Sequence, residues 1–296
     1  MTNHIEIDHI TKDYGQGRGV FDITFQVQKG ETLGFLGPNG AGKTTTIRQL
    51  MGFIKPDSGS VSILGKDCFK EADFIEKSLG YLPGEIAFID SMSGIEFIRF
   101  IAKMKKMKGL GRAESLMEKF ELNPSGKIKK MSKGMKQKIG IVCAFMQDPE
   151  ILILDEPTSG LDPLMQNQFI DLLLQEKKRG KTILMSSHIF EEVEKTCDRA
   201  AIIREGRLVA VEDMEKLKSG RKKIVELHLA DENMAASFAR EIAGSKVTGR
   251  SVSANVGLDM DEFIKKAGAY TVVDLNVRTQ SLEEFFLHFY GGQNND

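Results

Sequence analysis

The sequence predicts an α/β protein of two domains, and three observations support this prediction. Apolar runs typical of buried strands alternate with segments of helical periodicity along residues 1–217. A glycine-rich loop lies between one such strand and a helix, within residues 31–50. A polar, basic stretch near residues 216–223 precedes a shorter segment that has its own strand and helix patterns. We therefore expect a large domain over residues 1–217 and a small accessory α/β domain over residues 218–296.

The composition indicates a globular protein with a sizeable core. Of its 296 residues, 41% are hydrophobic and 28% are charged. The net charge of −1 argues against nucleic acid as a partner, because nucleic-acid-binding domains usually carry a clear basic excess. The three cysteines show no metal-ligand spacing, which favours a reducing cytosol. No apolar run approaches the roughly 18 residues of a membrane span, so we expect any membrane role to depend on a partner.

A phosphate-binding loop is predicted between Gly37 and Thr44, which follow the spacing G-x-x-x-x-G-K-T. The apolar run 33–36 reads as a strand before it, and residues 45–52 read as a helix after it. Glycines let the backbone turn its N–H groups inward, and the helix N-terminus adds a positive dipole end. Lys43 is expected to contact the terminal phosphates, and the Thr44 hydroxyl to bind Mg²⁺.

Two carboxylates follow a second apolar run, residues 151–154, which reads as a central parallel strand. Asp155 and Glu156 then lie at the carboxyl end of the sheet, where ligands of α/β proteins bind. Asp155 is suited to Mg²⁺, and Glu156 to orienting or deprotonating a water molecule. His188 follows a third buried strand, 182–187, at the same edge; it either meets the terminal phosphate or packs structurally.

Two further residues have two interpretations each. Tyr14, at a strand end, either stacks on an adenine ring or covers the rim of the core. Ser132 precedes an apolar helix, so its hydroxyl and the helix N-terminus form either a second anion site or an ordinary helix cap. The surrounding lysines either keep this segment soluble or offset the charge of a bound nucleotide; they are Lys127, Lys129, Lys130, Lys133, Lys136 and Lys138.

Residues 85–147 are interpreted as a helical subdomain inserted between two strands. The segment 93–106 has helical periodicity, and residues 112–122 are expected to continue it. In the tail we predict strands at 224–229, 247–256 and 270–277, with helices at 234–242, 258–267 and 281–290.

These motifs, in this order, resemble those of the ATP-binding subunits of ABC transporters. They are GPNGAGKTT (37–45), MSKGM (131–135), ILILDEP (151–157), SGLD (159–162) and SSH (186–188). The resemblance covers about residues 2–217, and the tail looks like the C-terminal extension of bacterial exporter-type subunits. The resemblance implies a P-loop NTPase of ABC type. Such a protein has a core with a mixed sheet, an antiparallel β subdomain and the inserted helical subdomain.

The resemblance also implies ATP and Mg²⁺ as cofactors and a head-to-tail dimer. Tyr14 would stack on adenine, Ser132 and Gly134 would act across the dimer, and Asp162 would link the two sites. Thr44 and Asp155 would hold the metal, and Lys43, Glu156 and His188 would serve catalysis. The phosphates would be held by Gly37, Pro38, Asn39, Gly40, Ala41, Gly42, Lys43, Thr44 and Thr45.

The sequence departs from the family pattern at two places. The serine loop usually has two glycines and then glutamine, whereas this chain has Lys133, Gly134 and Met135. This version is similar to that of exporter-type subunits. Glu85 stands where a glutamine is expected, and a carboxylate beside the phosphates is unfavourable unless it meets the metal. Glu85 is therefore a candidate third metal ligand.

The resemblance implies an ATPase subunit that powers export of a drug, antibiotic, lipid or similar substrate through a separate membrane subunit. Such a subunit would be cytoplasmic and peripheral on the inner face of the membrane. It would pair with a second ATPase subunit, either a copy of itself or a paralogue. Two alternatives are a soluble ABC-type ATPase acting on a cytosolic machine and a regulatory nucleotide-binding module without useful turnover.

Overall fold

The computed structural model describes residues 2–220, 223–256 and 260–284. The chain forms two compact units, Met1–Met214 and Glu215–Asp296. The predicted division lay after residue 217, and the observed one falls after Met214, where a helix begins. Across the three described ranges, no helix is both long enough and apolar enough to cross a membrane.

Among its described residues, the first unit contains ten strands and seven α-helices, and an eighth helix begins at its last residue. The strands are β1 (Asn3–Asp13), β2 (Gly19–Gln28), β3 (Thr32–Leu36), β4 (Ser58–Ile63), β5 (Lys66–Asp67), β6 (Leu79–Leu82), β7 (Ile151–Asp155), β8 (Thr182–Ser187), β9 (Arg199–Arg204) and β10 (Arg207–Asp213). The helices are α1 (Lys43–Leu50), α2 (Ala72–Ile75), α3 (Gly94–Met104), α4 (Gly111–Lys119), α5 (Lys133–Phe145), α6 (Pro163–Lys178), α7 (Phe190–Thr196) and α8 (Met214–Ser219), which reaches past Met214.

The central sheet has the strand order β10-β9-β3-β8-β7-β6. Strands β9, β3, β8, β7 and β6 pair in parallel, and β10 pairs antiparallel with β9. Every residue of β3, β7 and β8 is buried, which explains their continuous apolar or small side chains. Because these three strands are neighbours, the segments that follow their carboxyl ends meet at one edge.

A second, antiparallel sheet has the order β2-β1-β4-β5. Its strands alternate buried and exposed side chains, as expected for a sheet with one face on the core. Its apolar face shares one hydrophobic cluster with the central sheet and α1, including Ile5, Ile7, Val61, Phe35, Ile153 and Ile47. The predicted mixed core and antiparallel subdomain are confirmed.

The helical insertion lies between β6 and β7, as predicted, and contains α3, α4 and α5. Ser93 and Glu96 form a reciprocal capping box at the start of α3. The predicted helical segment 112–122 is observed as a separate helix, α4, because the chain leaves α3 after Met104. Lys106 has a left-handed φ of 53°, which ends the helix before α4 begins at Gly111.

The second unit contains an antiparallel sheet of β11 (Lys223–Leu229), β12 (Lys246–Thr248), β13 (Ser251–Val256) and β14 (Val272–Thr279), in the order β12-β13-β11-β14. The helices α9 (Glu232–Glu241) and α10 (Met260–Ala267) pack Phe238 and Phe263 against Val225 and Leu227 of the sheet. The predicted strand 247–256 is a hairpin of β12 and β13, since Gly249 turns the chain with a φ of 57°. Residues 282–284 are helical, and the rest of the predicted helix 281–290 lies outside the described residues.

Candidate active site

The phosphate-binding loop connects β3 to α1 and places glycine where other residues do not fit. Gly40 and Gly42 have φ values of 82° and 111°, in the region that disfavours side chains. A Cβ added at Gly37 would lie 2.3 Å from the carbonyl oxygen of Ile203, and one at Gly42 would lie 2.6 Å from Val20. The loop is therefore held tightly against β9 and β2, and it ends at the N-terminus of α1.

Lys43, the first residue of α1, is enclosed by the loop that precedes it. Its side chain is only 5% exposed. The Nζ group donates to the carbonyl oxygens of Gly37 at 2.6 Å and Pro38 at 3.2 Å. It also lies 3.0 Å from Oε1 of Glu156, which makes an ion pair. The ammonium group is thus fixed at the mouth of the loop, where it faces a carboxylate.

Glu156 joins two predicted catalytic residues through its two oxygens. Oε1 faces Lys43, and Oε2 lies 2.6 Å from Nδ1 of the half-exposed His188. The backbone of Glu156 has a left-handed φ of 49°, which turns its side chain away from the line of β7. Its N–H group donates to Oγ of Ser186 at 3.0 Å, which holds this turn in place. The three predicted catalytic residues therefore form one connected group.

Asp155 has one occupied and one unpaired carboxylate oxygen. Its side chain is fully buried, and Oδ1 accepts a hydrogen bond from Oγ of Ser186 at 2.5 Å. Oδ2 is buried without a hydrogen-bond partner. A Cβ added at Gly84 would lie 3.2 Å from this oxygen, so Gly84 approaches it closely. A buried unpaired carboxylate oxygen is costly unless a cation or a donor meets it, so Asp155 fits a metal ligand.

Two clefts border the phosphate-binding loop. The first has a volume of about 520 Å³ and is lined by Tyr14, Gly17, Arg18, Gly19, Asn39, Gly40, Gly42, Lys43, Thr44, Thr45, Glu156, Glu205 and Gly206. The second has a volume of about 530 Å³ and is lined by Thr44, Arg48, Phe53, Tyr81, Pro83, Gly84, Glu85, Ile86, Ala87 and Asp155. Thr44 lines both clefts. Glu85 and Asp155 both line the second cleft.

No described residues form a complete metal site by themselves. Within 2–220, 223–256 and 260–284, no group of three His, Cys, Asp or Glu side chains is arranged to hold a metal ion. A Mg²⁺ ion commonly uses one or two protein ligands, phosphate oxygens and water molecules. Thr44 and Asp155 match that smaller requirement. Burial and the nearby Asp155 carboxylate raise the pKa of Tyr81 to about 12, so its phenol stays protonated beside this site.

Seven predicted site residues do not line either cleft: Gly37, Pro38 and Ala41 of the phosphate-binding loop, His188, and Ser132, Gly134 and Asp162. Ser132 caps α5, with its Oγ accepting from the N–H group of Met135 at 3.2 Å. Asp162 caps α6 in the same manner, accepting from Met165 at 3.0 Å. Ser132, Gly134 and Asp162 are absent from the residues that line the two clefts. Within one chain, these residues and the phosphate-binding loop therefore do not line a common cleft.

The structure adds residues that the sequence analysis did not single out. Ser186 bridges Asp155 and the backbone of Glu156. Glu192 of α7 is buried and accepts hydrogen bonds from Thr158 at 2.5 Å and Ser187 at 2.8 Å, which ties the segments after β7 and β8 together. The SSH motif at residues 186–188 was the available signal for Ser186, whereas nothing in the pattern distinguished Glu192.

Known proteins with similar sequences share this architecture. Residues 20–159 match the family described as "ABC transporter". The chain is 38% identical to the bacitracin transport ATP-binding protein BcrA of Bacillus licheniformis, over 79% of this chain and 78% of that protein. It is 33% identical to the linearmycin resistance ATP-binding protein LnrL of Bacillus subtilis (strain 168), over 97% and 98% of the two chains. A solved structure described as the ATP binding subunit of an ABC transporter superposes with a TM-score of 0.66 at 32% identity, covering 74% of this chain and 92% of that one.

Proposed function

Because this chain belongs to the ATP-binding subunits of ABC transporters, we propose that its two clefts hold one MgATP and that closure of two such subunits drives export. The chain is an ATPase. The main observation that supports the proposed mechanism is that Lys43, Glu156 and His188 contact one another at the phosphate-binding loop. These residues supply a phosphate-binding cation, a carboxylate base and an imidazole at one point.

The first cleft suits the nucleotide. The backbone of residues 37–45 and the N-terminus of α1 would bind the phosphates. Tyr14 is 48% exposed on the same cleft, which leaves its ring free to stack on adenine. Thr44 and Asp155 would hold Mg²⁺, with Glu85 as the proposed third ligand from the second cleft. Bound Mg²⁺ would neutralise charge on the terminal phosphates.

Hydrolysis needs a base near the terminal phosphate, and Glu156 is the proposed base. Its carboxylate would accept a proton from the attacking water. Phosphate oxygens would compete with this carboxylate for Lys43, because both are anions within reach of the same ammonium group. His188, whose Nδ1 lies 2.6 Å from Oε2 of Glu156, would lie beside the terminal phosphate. ATP binding would therefore replace the ion pair and leave Glu156 available as a base.

A second ATPase subunit would complete each site. Ser132 and Gly134 lie at the N-terminus of α5, where free N–H groups and the helix dipole favour an anion. Since they do not line the clefts of their own chain, we propose that they contact ATP held by the other subunit of a head-to-tail dimer. Asp162 would link the two sites. The second subunit is either another copy of this chain or a paralogue.

The membrane subunit is proposed to dock at the second cleft. The docking groove would lie between residues 84–90 and the inserted helices, because residues 84–87 line the second cleft together with Phe53, an exposed apolar side chain. BcrA and LnrL are described as acting in bacitracin transport and linearmycin resistance. We accordingly propose export of an antibiotic, a drug, a lipid or a similar compound, with this chain on the cytoplasmic face of the membrane and not on nucleic acid.

The proposed function is tested by isolating the chain with whatever co-purifies from detergent-solubilised membranes. We expect a membrane protein to co-purify, and phosphate release from ATP to depend on it or to be stimulated by it. Co-sedimentation with ribosomes without any membrane partner would instead favour a soluble ATPase acting on a cytosolic machine. Nucleotide binding without phosphate release, with or without the membrane partner, would favour the regulatory module.

Replacement of Glu85 with glutamine tests its proposed contact with the metal. The variant removes an anionic oxygen from the second cleft, so we expect the Mg²⁺ concentration for half-maximal nucleotide trapping to rise by about 3- to 10-fold. The measurement is retention of a fluorescent ATP analogue as a function of Mg²⁺. Glu114→Gln, at an exposed position of α4, is the control for charge alone. Unchanged Mg²⁺ dependence and unchanged ATP turnover would reject the role of Glu85.

A further inference from the structure

The serine loop, defined as residues 132–135, is tied to the loop that follows β7, defined as residues 156–162. The Nζ group of Lys133 donates to Oγ of Ser159 at 2.8 Å, although the two residues are 26 positions apart. The methylene groups of Lys133 lie against Gly160, where an added Cβ would be 2.9 Å from Cγ and 3.0 Å from Cδ. One lysine side chain therefore spans the space between the two loops.

The backbones of the same two loops also lie close together. A Cβ added at Gly134 would lie 2.7 Å from the carbonyl oxygen of Gly160. Gly160 itself has a φ of 79°, so the contact occurs at a turn that favours glycine. The backbones of the serine loop and the loop after β7 therefore approach each other closely at Gly134 and Gly160.

Helix α5 holds the loop after β7 at a second point. Nε2 of Gln137, one turn after Lys133, donates to the carbonyl oxygen of Pro157 at 2.8 Å, in a buried position. Gln137 also lies 3.4 Å from the carbonyl oxygen of Glu156. Lys133 and Gln137 thus hold, from one helix, the loop that carries the proposed base Glu156 and the inter-site residue Asp162.

We propose that Lys133 is a positioning residue for ATP hydrolysis, which rests on the function proposed above. Through Ser159 it sets the position of the loop after β7 relative to Ser132 and Gly134. Glycine, the usual residue at this place in the pattern that the chain resembles, has no side chain to make this hydrogen bond. Lys133 acts through the loop and does not itself bind the nucleotide. The proposed role of Lys133 therefore differs from a general electrostatic effect, which the neighbouring lysines would share.

The test compares Lys133→Met, Ser159→Ala and the double variant in steady-state hydrolysis, together with the membrane partner that co-purifies. We expect each single variant to lower kcat by about 3- to 10-fold with less than a twofold change in KM for ATP, and the double variant to be no worse than the singles. Lys133→Arg, which keeps a donor of similar reach, should restore most of kcat. Lys130→Met removes the same charge from an exposed lysine of this segment and should leave kcat unchanged.

Three outcomes would overturn the proposal. One is a kcat of both single variants within twofold of wild type. Another is a double variant whose loss of kcat equals the product of the two single losses, together with a raised KM for ATP. Lys133 would then act on the nucleotide directly. The third is an equal loss in Lys130→Met, which would indicate net charge. If Lys133→Met does not fold, Ser159→Ala alone carries the test. Failure of the wild-type chain to hydrolyse ATP would instead contradict the proposed function.

Discussion

Replacing Glu156 with glutamine is expected to lower ATP hydrolysis by about 100-fold or more while ATP binding is retained or strengthened. Glutamine has nearly the same shape but accepts no proton from the attacking water. The same change removes the ion pair with Lys43, whose Nζ lies 3.0 Å from Oε1. Lys43 then has no competing carboxylate, so we expect the Kd for ATP to fall by about 3- to 10-fold, which corresponds to about 0.7–1.4 kcal/mol.

This prediction is measured by phosphate release and by equilibrium binding of ATP to the same preparation. Glu150→Gln is the matched control, because Glu150 directly precedes β7, at the end opposite Glu156, and its carboxylate is half-exposed. It should leave both measurements unchanged. Wild-type turnover in Glu156→Gln would show that another group serves as the base. Weaker ATP binding would contradict the competition between the carboxylate and the phosphates.

Replacing Lys43 with methionine is expected to weaken ATP binding by about 10- to 150-fold and to lower hydrolysis at least as much. A hydrogen bond to a charged group contributes about 1.5–3 kcal/mol, and Lys43 is the buried cation of the first cleft. Methionine fills a similar volume, so the packing of the loop is kept. The carbonyl oxygens of Gly37 and Pro38 lose their donor, which we expect to cost some thermal stability.

Equilibrium binding of ATP and the midpoint of thermal unfolding separate these two effects. Lys178→Met, at the exposed end of α6, controls for the loss of a positive charge. We expect that control to bind ATP normally. An unchanged Kd in folded Lys43→Met would remove Lys43 from the binding site and would leave the backbone of the loop as the phosphate site.

The parts of the fold that were predictable have a strong local pattern. The buried runs of β3, β7 and β8 and the glycine spacing at residues 37–42 each have one physical explanation, and each lies where it was expected. The turn between β9 and β10 also has a local signal, a glycine at position 206, and Glu205 and Gly206 both adopt the positive φ of a tight hairpin turn. Together they place Asp155, Glu156 and His188 near Lys43.

The parts that were not predictable depend on tertiary contacts. Helix α7 has only seven residues and a mostly polar sequence, so it has little stability alone. It forms because Val193 packs on Gly34, where an added Cβ would lie only 2.5 Å away. The break between α3 and α4 depends on the left-handed backbone of Lys106, a residue that normally favours helix. The hydrogen bonds of Ser186 and Glu192 likewise depend on which strands are neighbours.

The central proposal is that Ser132 and Gly134 of one ATPase subunit enclose the ATP bound by a second subunit, and its form with two copies of this chain can be tested. It is tested most directly by mixing two inactive variants, Lys43→Met and Ser132→Asp, with the membrane partner that co-purifies. Aspartate keeps the helix cap that Ser132 provides but repels the phosphates of the other copy.

Each variant alone is expected to be inactive. In a head-to-tail dimer of one copy of each, one site has an intact phosphate-binding loop and an intact serine loop. Random pairing makes half of the dimers mixed, with one working site in two, so we expect the mixture to recover about a quarter of wild-type hydrolysis. A mixture as inactive as its separate components would contradict the claim.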